Sequence, residues 1–135
     1  MDNRTKDLLR IRPEIPDVLV YEETSSEERF QNTTIRPVIK LQKELLVEAF
    51  RNYANKHKRV FYTLSLEKRL VYIENAIHKD IKFRNSLKGM IIGQFTVEEY
   101  LTYIENSSAL NKRMMNMVIE TIKDCVQLLE VGMAV

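Results

Sequence analysis

The chain has 135 residues, 44% of them hydrophobic and 30% charged, with a formal net charge of +2. That length suits one domain with its own core, and that balance excludes a disordered or collagen-like chain. A single cysteine excludes an intramolecular disulfide, no uncharged run approaches the ~20 residues of a membrane span, and three Gly and three Pro are too few for a turn-rich β fold.

The first seven residues, Met1-Asp-Asn-Arg-Thr-Lys-Asp7, lack the apolar run of a signal peptide, and with one cysteine the expected setting is the cytoplasm. Residues 1–23 read as an extended N-terminal arm. Pro13 and Pro16 resist helix and push Arg12 and Ile15 toward extended geometry. Ile11, Ile15, Val18 and Val20 give the arm apolar side chains, and Val18 and Val20 are candidates for an interaction surface.

Residues 24–135 read as a single helical domain. Ser25 caps a short first helix whose carboxylates, Glu27 and Glu28, suit the positive end of the macrodipole. Thr34 is placed to cap a longer helix, with Pro37 in its first turn, running to about Asn55. Val38, Leu41, Leu45 and Ala49 form one apolar stripe there, and Ile39, Leu46, Phe50 and Tyr53 form its neighbour. Lys56-His-Lys-Arg59 closes that helix with positive charge.

Ser65 caps the next helix, with Leu66, Leu70, Ile73 and Ile77 inward. Asp80 marks a cap or bend before Phe83, Leu87, Met90 and Ile91, and Gly93 is placed as a glycine just past a helix end. Thr96-Val-Glu-Glu99 spells a capping box, and Val97, Tyr100, Leu101 and Ile104 form the apolar face behind it. The last helix runs from about Ala109 to Glu130, with Leu110, Met114, Met117, Val118, Ile122, Cys125 and Leu129 inward. Met115 falls off that stripe and is the third candidate for a partner surface.

The tract Ser65–Asn75 recurs as Thr96–Asn106, an offset of 31 with six of eleven positions identical. Either the chain holds two repeated αα-hairpins, with a shared core phase at 66/70/73 and 97/101/104, or capped amphipathic helices resemble one another by chance. The expected fold is therefore all-α, a four- to five-helix bundle with an extended arm.

Chemical motifs are sparse. Glu74 and His78 stand one helical turn apart, once only, and read as a surface pair. His57 lies among Lys56, Lys58 and Arg59, which disfavour a bound cation. Cys125 reads as a small buried thiol, and Gly89-x-x-x-Gly93 lacks the Lys-Ser/Thr of a phosphate loop. No catalytic, cofactor-binding or metal-ligating residue is assigned. Between Arg36 and Lys88, however, thirteen Lys/Arg stand against five Asp/Glu, while the stretches on either side each carry a net −3. Arg36, Lys40, Lys43 and Arg51 share one helix face; Lys68, Lys79 and Lys82 fall near one face of the next. The expectation is a solvated face, with nucleic-acid or other polyanion binding as the alternative.

Phe30-Gln-Asn, Arg36-Pro, the run Asp80–Gly93, Phe95–Tyr100 and Asn106–Met117 together resemble a small bacterial all-helical family that often carries a glyoxalase label. The resemblance covers most of the chain after Glu27. The label implies a metal-dependent enzyme built on paired β-α-β-β-β modules with His/Glu ligands. This chain departs from that pattern at both points, so no catalytic residue is carried over. The leading expectation is a non-catalytic interaction or scaffolding module. Its partner would be a second copy or another protein, with no cofactor and no membrane. Polyanion binding is the second reading and a glyoxalase-like enzyme the third.

Overall fold

A computed structural model describes residues 2–15 and 25–129. Among them every regular element is helical and no strand forms. The α-helical stretches are α1 (Asn3–Ile11), α2 (Ser26–Phe30), α3 (Arg36–Lys56), α4 (Leu66–Lys79), α5 (Ile81–Ile92), α6 (Val97–Ile104) and α7 (Ser107–Asp124). A π turn, Gln31–Ile35, joins α2 to α3 without a break, so one rod runs from Ser26 to Lys56. The all-α bundle expected from the sequence is the fold.

The caps explain where the helices start. Ser25, Ser65 and Asp80 each accept from a backbone N–H three residues on, and Thr96 with Glu99 completes the capping box. Each such cap is worth about 1 kcal/mol. Asp2 caps in the same way, accepting from the Thr5 N–H at 2.8 Å, and this is what the reading of an extended arm missed. Residues Asn3–Ile11 are helical. Extended backbone begins only at Arg12 (φ −68°, ψ 133°), directly before Pro13, as the proline ring requires. Val18 and Val20 lie outside the described residues.

Three local expectations give way to a different geometry. Thr34 caps nothing, because the helix already runs through it. Pro37 cannot supply the N–H that would pair with the Thr33 carbonyl, and the wider π turn immediately before it accommodates the ring inside a continuous rod. Gly93 is right-handed (φ −60°) and ends α5 without a left-handed step. The left-handed residues are instead Lys58 and Arg59 (φ 61° and 58°). There the Arg59 N–H donates to the Ala54 carbonyl at 3.1 Å, a Schellman closure of α3 with lysine where glycine is usual.

Four helices make the core. α5 and α7 each pack against both α3 and α4, and against one another. Phe50 sits at the middle of an aromatic cluster, with ring centroids 5.1 Å from Phe61 and 6.2 Å from both Tyr72 and Phe83. Tyr53 stacks on Phe83 at 4.2 Å and donates to Asp80 at 3.2 Å. Burial, and next the Asp80 charge, push its phenol up to about 12. A second cluster, Phe30, Phe95 and Tyr103, closes the other end.

The repeat does not organise this core. α4 has 14 residues and stops at Asp80, whereas α6 has eight and stops before Asn106. Leu66 and Val97 are both exposed, Ile73 is buried and Ile104 is not. The shared core phase therefore fails in the second copy, which supplies α7 but not α6 to the bundle; α3 is the fourth helix.

Candidate functional site

α6 is the element whose apolar face meets solvent. Val97, Tyr100, Leu101 and Ile104, one continuous stripe at helical spacing, are 62%, 44%, 55% and 49% exposed. The sequence pattern alone places this stripe against the core. The structure turns α6 the other way and buries Tyr103 instead, whose hydroxyl donates to Asn111 of α7.

A buried ion pair holds that orientation. Arg12 grips the Glu99 carboxylate with both terminal nitrogens at 2.7 Å and donates to the Gln94 carbonyl at the same distance. The side chains of Arg12 and Glu99 are only 7% and 18% exposed. Glu99 also accepts from the Thr34 hydroxyl at 3.1 Å and from the Thr96 N–H at 2.8 Å. Burial pushes the Glu99 carboxyl up, but the hydrogen bonds from Arg12 and Thr96, with the Arg12 charge, outweigh it and hold the carboxyl below its ordinary value. α1, the π turn and the first turn of α6 thus meet on one carboxylate. The neighbouring joint is also polar: Arg113 of α7 donates to Gln31 at 2.8 Å, and Asn106 donates to Glu27 at 2.7 Å.

α1 is tied to the loop that leads into α6. Its Arg4 donates to the Gly93 carbonyl at 3.2 Å, and its Leu9 and Ile11 are exposed. The third sequence candidate for a partner surface is corrected. Met115 is 1% exposed, because α7 packs against α3, α4, α5 and α6 and buries Leu110, Met114, Met115, Val118, Ile119 and Ile122 across a broad arc.

The seven basic candidates do not gather in one hollow. Arg36, Lys40 and Lys43 line a hollow that Asp124 shares. Lys43 and Arg51 line another with Glu44 and Glu48, and Arg51 is committed to Glu48 and to the Leu128 carbonyl. Lys79 and Lys82 border a third with Asp80. Lys68, exposed in the first turn of α4, lines none of these.

A basic cleft with no lining carboxylate among the described residues lies elsewhere, between α5 and α7. It measures about 660 Å³ and is lined by Arg84 and Lys88 from one wall and Lys112, Asn111 and Asn116 from the other, with His78 at the end of α4. Sequence reading passed over these residues, since Arg84 and Lys88 were two cations among thirteen and Lys112 lay beyond the basic stretch. The i, i+4 spacing of Arg84 and Lys88 was the available signal.

Glu74, one turn before His78, is taken by Lys123 of α7 at 2.8 Å; that hydrogen bond draws its carboxyl down and the Lys123 ammonium up. Cys125 is a buried free thiol. Among the described residues no three His, Cys, Asp or Glu side chains gather as metal ligands would, and no helix is long and apolar enough to cross a membrane. Compared with known protein families, curated proteins and solved structures, the chain matches none of them.

Proposed function

We propose that this chain is a non-catalytic helical interaction module that pairs with a second copy of itself through α1 and α6. The observation that carries this reading is the apolar stripe of α6 facing solvent. Four neighbouring apolar side chains left in water are a standing loss of about 0.8 kcal/mol per exposed CH₂, and burying them against a partner recovers it. α6 alone spans about 12 Å, too short a helix to bury by itself the roughly 800 Å² per partner of a stable pair. Leu9 and Ile11 of α1, an element tied to α6 through Arg12 and Glu99, add exposed apolar surface.

Charge selects the partner. α6 contains no Lys or Arg; it carries Glu98 and is followed by Glu105. α1 carries Arg4, Lys6 and Arg10 against Asp7. A two-fold arrangement that lays α1 of one copy on α6 of the other matches basic to acidic twice, while α6 on α6 sets like charges together.

Multi-angle light scattering tests this at rising concentration. The natural chain should pair, Leu101→Asp with Ile104→Asp should be monomeric with unchanged helicity, and Arg10→Glu should weaken pairing about tenfold. Combining Arg10→Glu with Glu105→Lys should restore part of that loss. A strict monomer at high concentration, or pairing that survives the double aspartate, would sink the reading.

A further inference from the structure

We infer that the cleft between α5 and α7 binds a small, multiply charged phosphate-bearing ligand. Its volume, about 660 Å³, falls within the ~300–1,000 Å³ of ordinary small-molecule sites. The electrostatics point to an anion. Arg84, Lys88 and Lys112 line the cleft from two helices; among the described residues none of the three makes an ion pair or a side-chain hydrogen bond, and no Asp or Glu lines it. Cations held close without a counter-charge repel one another, and a bound di- or trianion reverses that. Three other hollows that gather basic side chains each have a carboxylate of their own.

The neutral groups fit the same ligand. The Asn111 carbonyl oxygen is taken by the Tyr103 hydroxyl, which leaves the amide N–H₂ as the group the cleft can use, a donor. Ser108, in the first turn of the 18-residue α7, lines the cleft, and the Asn106 side chain that would normally cap that turn is turned away to Glu27. The positive end of the α7 dipole is therefore open on the same side as the cations. Arg84 supplies the planar fork that pairs two phosphate oxygens, and the two lysines supply point charges. A long nucleic-acid backbone fits less well, since Lys40, Lys43, Lys79 and Lys82 line other hollows that carboxylates share.

Calorimetric titration with pyrophosphate at low ionic strength tests the site on the full chain, independently of any pairing through α6. Saturable one-to-one binding is expected, and Lys88→Gln with Lys112→Gln should weaken it at least tenfold without altering the melting temperature of the free protein. Lys40→Gln with Lys68→Gln, on other surfaces, should leave binding within about twofold. Absent saturation, or equal losses from both pairs, overturns the proposal. So does binding of a single-stranded oligonucleotide that pyrophosphate fails to compete, which assigns the cations to nucleic acid.

Discussion

Arg12 and Glu99 are 87 residues apart in sequence and are joined by a two-pronged, part-buried ion pair. Both are largely removed from water, so deleting one strands the other. Arg12→Met should cost about 3 kcal/mol at neutral pH. The pH dependence follows from the carboxyl. Its folded value lies below the ordinary 4.5, so its stabilisation is complete above 4.5 and is lost as the pH falls below it toward the folded value. Without Arg12, burial pushes the carboxyl up, and the variant should begin to lose stability at higher pH than the natural chain. Urea midpoints at pH 7 and pH 3 check this: the gap between the two proteins should be wide at pH 7 and narrow at pH 3. An equal gap at both would remove Glu99 from the account.

Among the elements, the end of α3 is the one whose sequence fits its backbone least. Lys58 occupies the left-handed position at which a side chain costs about 1–2 kcal/mol, and glycine is the usual choice there. Lys58→Gly should stabilise the protein by about 1 kcal/mol, read as a higher melting temperature, and a decrease would mean the lysine makes a contact that outweighs its strain. How well each element was legible follows the range of the forces involved. Ser25, Ser65, Asp80 and Thr96 act within one turn, and the starts of α2, α4, α5 and α6 could be read from them. The helix at Asn3–Ile11 was readable from Asp2 but was overshadowed by Pro13 and Pro16. The direction α6 faces was not legible, because its stripe at 97, 100, 101 and 104 is a good core pattern by itself. What turns it outward is Arg12 and Thr34 holding Glu99 on the opposite arc. Likewise the cleft joins Arg84 to Lys112, and no local rule brings α5 beside α7.

At the scale of the whole molecule, the rod from Ser26 to Lys56 carries Phe30 into one aromatic cluster and Phe50 into the other. The two ends should therefore melt as a unit. Phe50→Ala should cost about 3–5 kcal/mol and should lower the far-ultraviolet helix signal and the near-ultraviolet tyrosine signal in one coincident transition. Two separated transitions would show that the ends fold independently. The seam in that rod is the π turn at Gln31–Ile35. Relative to an uninterrupted α-helix it inserts one extra residue of phase, about 100° of rotation at 3.6 residues per turn. It works as a gear offset: Pro37 and the buried stripe of α3 set the rotation on one side, and the offset shifts the azimuth at which Phe30 meets Phe95 on the other, so one continuous rod serves both clusters.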